Sequence, residues 1–510
     1  MHKIRLVSAT ALALALGACD MAPKYVRPAL PVPVESPLGP AYQADISGQA
    51  AIQPTDTGWR DFFTDPRLAR VIENALTHNR DLRIAVANVE QARAQYRVQR
   101  AGLFPTIAAN GSATYQDTPF AQQGPGAGAG AGASGRTDIY SASVGISAWE
   151  IDLFGRVRNL SKAAQEQYFA RVESRNAAQV ALIAETASAW LSMAANQERL
   201  RIARDLEAAF GKALELTRAR FAKGIASELE VRQAQTSHDQ ARADIAEATT
   251  LVAQDQNALN LLAGSTVAQA DLPSAMPQED VTLANLPMDL PSSVLLQRPD
   301  ILSAEHQLRA ANADIGAARA AFFPKISLTA AFGTLSAGLS NLFAPGSDYW
   351  SASPSVGLPI FDFGRNQGNL RYSRATYDAM LATYEKSVQT GFREVADALA
   401  RRGTMTAQLE AQSSLRDAAR VGYRLSEARF RAGVDPFLTT LDAQRTLYNA
   451  ERSMLATRLA RAANMIELYR AMGGGLNSTL GYNKEQLSFV IDGAWSFHIW
   501  ISNSLKIVSL

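Results

Sequence analysis

The chain is written twice. Asn79-Arg80-Asp81-Leu82 through Leu103-Phe104-Pro105 aligns without a gap on Arg298-Pro299-Asp300-Ile301 through Phe322-Phe323-Pro324, 219 residues later. Phe154-Gly155-Arg156 returns as Phe363-Gly364-Arg365, and Arg220-Phe221-Ala222-Lys223-Gly224 as Arg429-Phe430-Arg431-Ala432-Gly433, now 209 residues later. Gln235 and Gly264 return as Gln444 and Gly473. The residues gained by the first copy fall where the Gly/Ala-rich run Gly124–Gly135 lies, which fits an inserted surface loop. A fold for this sequence must therefore accommodate one unit in two places, a first repeat at 59–270 and a second at 290–475.

Each unit has the same order of elements. A helical segment comes first, Pro66–Leu103 and Pro299–Phe322, with Pro favourable at the first helical position. A pair of strands follows. Then comes a Pro-free helix from Arg156 to about Phe221, or Arg365 to about Phe430. At 1.5 Å per residue such a helix is about 100 Å long, wider than most globules. A Gly turn leads to a shorter helix, which ends near Leu262 or Met472. Ser227-Glu228-Leu229-Glu230 reads as a capping box, and Asp435-Pro436 as an N-cap followed by Pro. Leu206, Ala209, Ala213 and Leu216 recur at coiled-coil spacing, as do Val388, Phe392, Val395 and Leu399.

The strands carry the class. Tyr140, Val144 and Ile146 alternate with Ser141, Ser143 and Gly145; Ile326, Leu328 and Phe332 with Ser327, Thr329 and Gly333; Trp350, Val356 and Leu358 with Ser351, Ser355 and Gly357. A weaker alternation covers Ile107–Tyr115. These strands, at about 106–116, 138–151, 325–335 and 349–361, are long enough to cross a membrane. One face would meet lipid and the other a wet lumen. Tyr115, Trp149, Tyr349 and Trp350 sit near strand ends, as interfacial aromatics do. A soluble two-sheet domain is the alternative, but its outer face would carry Lys and Glu rather than Ser, Gly and Thr. Four strands cannot close a barrel, and an open edge is intolerable in lipid. Two copies would give a barrel filled by its own side chains; three, with twelve strands, are the smallest number that leaves a lumen.

Composition agrees. The 510 residues carry a net charge of +2, which argues against nucleic acid as a partner. After the start no apolar run reaches about 18 residues, which excludes a polytopic helical membrane protein and leaves a β-barrel open. The five histidines are scattered, and no GxSxG, Walker, GxGxxG or HExxH context appears. No catalytic constellation is found, and passive transport needs none. The methionines are not clustered, which counts against a copper or silver pump.

The N-terminus reads as an export signal. Lys3 and Arg5 precede the apolar Leu6–Leu16, and Leu16-Gly17-Ala18-Cys19 resembles a lipobox. Residues 1–18 would be removed, and the only cysteine would carry diacylglycerol and an N-acyl chain; a buried free thiol is the alternative. Asp20 resembles the inner-membrane retention signal of enteric bacteria. Residues 19–58 are a Pro-rich extended leader. The tail 476–510 is atypical in composition and is given no function.

The lipobox, the duplicated Phe-Gly-Arg and the duplicated Arg-Phe-x-x-Gly turn running into Leu441-Asp442-Ala443-Gln444-Arg445 resemble the TolC/OprM-like outer-membrane factor family, in its NodT-type lipoprotein branch, over roughly residues 19–475. The resemblance implies an α+β membrane protein: a homotrimer with a twelve-stranded outer-membrane β-barrel, continued by a long antiparallel α-helical periplasmic barrel. It implies an exit duct that passively conducts drugs or other small molecules. Its partners would be a periplasmic adaptor (membrane fusion protein), an inner-membrane RND-type transporter that supplies the energy, and outer-membrane lipid, with no cofactor beyond the lipid on Cys19.

The resemblance also implies roles for residues. Gly224, Ile225, Gly433 and Val434 would form the periplasmic tips that meet the adaptor. Leu438 and Asp442, one helical turn apart, would form an apolar and an acidic ring at a periplasmic gate, with Arg445 nearby. Spacing alone favours a solvated Asp442 satisfied by Arg445, and it is the resemblance that points to the gate. Gly155 and Gly364 serve strand-to-helix turns, and Arg156 and Arg365 begin the long helices with Asp152 and Asp362 as candidate partners. Two competing functions remain: a non-conducting lipid-anchored tether, and a type I protein-secretion channel.

Overall fold

The computed structural model describes residues 20–35, 37–42, 57–118, 135–283 and 292–475. The signal peptide, Cys19, part of the leader, the Gly/Ala-rich loop and the tail lie outside the described residues. Helices α1 (Pro66–His78) and α2 (Arg80–Ala101) lead into strands β1 (Ile107–Thr118) and β2 (Gly135–Ile151), then α3 (Arg156–Ala222) and α4 (Glu228–Ala263). The second repeat gives α5 (Pro299–Ala320), β3 (Lys325–Ser336), β4 (Asp348–Gly357), α6 (Arg365–Arg431) and α7 (Phe437–Ala471). The duplication is metrical: α2 and α5 each have 22 residues, and α3 and α6 each have 67.

The chain divides into two units. One holds the described residues up to Ala29, Asn88–Val172 and Ser303–Tyr384; the other holds Leu30–Ala87, Glu173–Leu302 and Glu385 onward. In the first, the strands form one antiparallel sheet in the order β1-β2-β3-β4. β1 and β4 are its edges, and Pro354 lies in β4, the edge placement a residue without N–H requires. Ala163 of α3 packs on Ala310 and Ala313 of α5, so small side chains let these helices approach closely.

The second unit has the largest core. Trp59, Phe62, Leu68, Ile72, Trp190 and Leu259 are fully buried there, and Phe62 stacks on Tyr469 with ring centroids 4.1 Å apart. Asp65 caps α1 by accepting the Arg67 and Leu68 N–H groups, with Pro66 in the first turn. The buried Arg298 guanidinium donates to Asp300 (2.7 Å), Glu394 (2.8 Å) and the Ala471 carbonyl (2.7 Å).

Three local readings need correction. Pro66–Leu103 is not one helix: Asn79 breaks it at ψ 135°, and its side chain accepts the Leu82 N–H at 2.8 Å while donating to the Leu262 carbonyl at 2.9 Å. Asn79 thus starts a new helix where the second repeat starts one at Pro299. The α3 seam is also displaced. Phe210 and Leu214 are buried, with Leu206 and Ala213 against them, whereas Leu216 is exposed. The α6 seam keeps its expected place, with Val388 and Leu399 buried. Finally, Asp435 does not cap α7, whose N-cap is Pro436. Its carboxylate takes the Arg429 guanidinium instead, at 2.6 and 2.9 Å.

Candidate functional site

The sheet is sorted by side-chain chemistry. Residues opposite each other on antiparallel strands share a face. One face therefore runs Ile107, Ala109 and Ala113 on β1, Tyr140, Val144 and Ile146 on β2, Ile326, Leu328 and Phe332 on β3, and Trp350, Ala352 and Val356 on β4. The other carries Asn110, Ser112, Ser141, Ser143, Ser327, Thr329, Ser353 and Ser355. Hydroxyl pairs Ser112–Ser141 and Ser327–Ser355, each 2.7 Å apart, tie rungs of the polar face. The apolar face is uncovered: Phe332 is 68% and Trp350 76% exposed.

A β-bulge keeps β2 in this scheme. Ile146 faces Ala330, but Trp149 faces Leu328, so β2 spends one extra residue. Ala148 absorbs it at φ 49°, and its N–H donates to Thr329 Oγ1 at 3.2 Å. Beyond the bulge Trp149 and Ile151 join the apolar face, and Glu150, opposite Ser327, joins the polar one. Strict alternation continued from Tyr140, Val144 and Ile146 would place Ala148 on the apolar face.

Glu150 then grips Arg156 through two bonds of 2.8 and 2.6 Å. That corrects the expected Asp152 partner. Asp152 accepts the Arg158 N–H (2.8 Å), and Asp362 accepts those of Gly364 and Asn366 (3.0 Å each). Both aspartates thus satisfy orphan donors where a long helix starts. Arg365 is exposed; Gly155 and Gly364 make their turns at φ 76° and 82°.

The second unit carries the helical tips. Gly224 accepts φ 72° and Gly433 φ 74°, a region open to glycine at no steric cost. Gly224 N–H donates to the Phe221 carbonyl and Ile225 N–H to that of Arg220; Gly433 and Val434 repeat this onto Phe430 and Arg429. Both turns are therefore Schellman motifs. Ser227 and Glu230 close the expected capping box on α4. Arg429 holds the Asp435 carboxyl below its ordinary pKa and braces the second turn, while in the first repeat Arg220 stands over the Phe430 ring, 5.0 Å from its centroid.

Behind the turns, Phe210, Leu214, Ala234, Phe430, Phe437 and Leu441 form one cluster that joins α3, α4, α6 and α7. Leu438 and Asp442 lie on the adjoining, exposed face of α7, about 100° around the helix from Phe437 and Leu441, as does Arg445. Among the described residues no ion pair within 4.0 Å joins Asp442 to Arg445. Ile225, Leu229 and Val434 are exposed apolar residues at the tips. One cross-link was invisible in the sequence: Tyr448 on α7 donates its hydroxyl to the nearly buried Asp244 carboxylate on α4 at 2.7 Å. Burial first, and the bond to Asp244 second, push the Tyr448 pKa up to about 12.

The leader is fastened within the first unit. Asn159 donates to Asp20 (2.8 Å) and Asn312 to the Pro23 carbonyl (2.8 Å). Arg27 forks onto Glu305 (2.9 and 2.8 Å), which also takes Arg309 (2.5 Å). Burial alone would raise the Asp20 and Glu305 carboxyls. For Asp20, the Ala22 N–H and the Asn159 amide outweigh it; for Glu305, Arg27 and Arg309 do, so both titrate below their ordinary values.

An exposed sheet face made for lipid, a hydroxyl-lined reverse face and paired long-helix hairpins define an outer-membrane channel protein. The sequence model described as outer membrane efflux protein matches residues 71–265 and 290–474, and the chain belongs to that family. It is 43% identical over 483 residues to the toluene efflux pump outer membrane protein TtgC of Pseudomonas putida, which spans 95% of this chain and 98% of the relative. A membrane protein from Pseudomonas aeruginosa superimposes with a TM-score of 0.82 at 40% identity, over 90% of this chain and 98% of that one. The open state of the Neisseria gonorrhoeae MtrE outer membrane channel gives 0.78 at 36%, over 90% and 99%. The protein is an outer-membrane efflux component. The tether reading falls with this result, since it denied the chain a conducting role. The hint of Asp20 toward the inner membrane falls too, and Asp20 is instead a partner of Asn159.

Proposed function

We propose that three copies pool their strands into a twelve-stranded barrel that continues into a helical periplasmic conduit. This duct passively passes small molecules from an inner-membrane RND-type transporter to the exterior, with a periplasmic adaptor seated on the helical tips. Cys19 carries the lipid anchor. The observation that carries the reading is the sheet itself: one face is apolar along most of its length, with Phe332 and Trp350 exposed, and turns polar toward one end at Asp117, Asp138, Thr334, Ser336 and Asp348; the other is mostly hydroxyl-lined, and among the described residues β1 and β4 are each paired on one side only. Lipid would satisfy the first face and water the second, and only further strands can satisfy the edges.

At the tips, Gly224-Ile225 and Gly433-Val434 offer apolar knobs to the adaptor. Around a threefold axis Leu438 forms an apolar constriction and Asp442 an acidic ring beside it. With no salt-bridge partner among the described residues of its own chain, Asp442 is available to attract cations. Purified protein in planar bilayers should conduct weakly, and Leu438→Ala with Asp442→Ala should raise single-channel conductance and reduce cation preference. Unchanged conductance and selectivity would remove the gate assignment; no conductance from either protein would remove the duct.

A further inference from the structure

The joint between the two repeats inside one chain supplies a template for the joint between chains. The hairpin registers fix which residues are equivalent. Ile107 faces Ile146 as Ile326 faces Val356, and Ala113 faces Tyr140 as Phe332 faces Trp350. Hence β1 stands for β3, and β4 for β2. At the internal joint Gly145 faces Ala331 and Ser143 faces Gly333. The equivalent residues on the free edges are Ser355 with Ser112, and Ser353 with Thr114.

Two other asymmetries point to the same neighbour. Phe154 of the first repeat stacks on Phe323 of the second, with centroids 4.8 Å apart and planes 22° apart. Their equivalents, Phe363 and Phe104, are 91% and 63% exposed. On the helices, Ser303, Glu305 and Ala317 of α5 are buried, whereas their equivalents on α2, Ile84, Val86 and Val98, are exposed although all three are apolar. A helix that leaves three such apolar side chains bare needs a cover. The second repeat of another copy has the matching bare edge and the matching bare ring.

We propose that each copy docks its second repeat on the first repeat of the next in this register: Ser355 opposite Ser112, Ser353 opposite Thr114, and Phe363 stacked on Phe104. The proposal rests on the shared-barrel reading and adds which residues meet. Directly opposed residues lie within disulfide reach, whereas diagonal neighbours two residues out of step lie about 7–8 Å apart and do not.

Full-length protein carrying paired substitutions, S112C with S355C and T114C with S353C, should give covalent dimers and trimers on non-reducing gels after mild oxidation. The crossed pairs, S112C with S353C and T114C with S355C, should stay uncoupled, and the single variants control for Cys19. Phe104→Ala and Phe363→Ala should each lower the dissociation temperature of the oligomer, and the double variant should lower it by less than the two shifts added. Coupling of the crossed pairs instead, or of none while native mass spectrometry still reports trimers, overturns the register. Strictly additive phenylalanine shifts overturn the aromatic contact. A monomer by native mass spectrometry, in the unsubstituted protein, sinks the shared barrel itself.

Discussion

The bulge at Ala148 is the point where one residue decides which way a strand faces. Inserting one alanine after Ala148 adds a residue that the bulge does not absorb. With the pairing up to Ile146 held, Trp149 and Ile151 would turn to the wet face and Glu150 to the lipid face. The existing register shift, the φ of 49° and the Ala148–Thr329 bond are already taken up by Ala148. Withdrawing two apolar side chains from lipid costs about 1.5–3 kcal/mol each. Facing a carboxylate to lipid costs about 1 kcal/mol near the interface. Losing the Glu150–Arg156 fork costs about 1.5–3 kcal/mol. Together these reach about 5.5–10 kcal/mol, as much as the whole stability of many domains. The insertion should abolish assembled oligomer in outer-membrane fractions. Ala148→Gly keeps the bulge and removes the left-handed strain of an L-residue, so it should raise the thermal dissociation midpoint by the equivalent of about 1 kcal/mol. Normal assembly of the insertion variant, or a lower midpoint for Ala148→Gly, would refute the argument.

Other perturbations follow from single contacts. Arg298→Met removes the guanidinium bonds to Asp300, Glu394 and the Ala471 carbonyl, leaving Arg470 as the cation at Glu394, and should cost about 3–5 kcal/mol in denaturant unfolding. Tyr448→Phe leaves Asp244 Oδ2 without its donor, with Gln240 still on Oδ1, and should cost about 1.5–3 kcal/mol by the same measurement. Because the Tyr448 pKa is raised to about 12, the stability its proton confers is complete below about pH 10 and is lost as pH rises through 12; the difference absorbance at 295 nm between wild type and Tyr448→Phe should titrate there rather than near 10. Glu305 titrates low, so its hold on the leader is complete above the ordinary glutamate pKa and is lost as pH falls through the lowered value. Arg27→Ala should expose the leader near Lys24 to limited trypsin digestion at neutral pH; an unchanged cleavage rate would show that Arg27 does not fasten it.

Local signals survived the passage from sequence to structure. The repeat, the long helices, the four alternating runs, the Gly turns and the Ser227–Glu230 capping box were legible because each depends on residues close together in the chain. What was missed depends on distant partners or on cooperative phase. Nothing near Ala148 announces a bulge, since its sign is the register against β3. Asn79 breaks a helix because the Leu262 carbonyl and the Leu82 N–H both lie within its reach. Leu216 fits a heptad on paper, yet Phe210 and Leu214 take the buried stripe in a helix near 3.6 residues per turn. Asp435 looks like an N-cap, but a forked guanidinium is a stronger partner than one backbone N–H. Tyr448–Asp244 and Arg27–Glu305 join residues more than 200 positions apart, beyond the reach of spacing.

The most direct test of the central claim is the native mass of the detergent-solubilised protein. Three chains per particle are expected, because three sets of four strands are the fewest that leave a lumen. A particle of one or two chains would contradict the account.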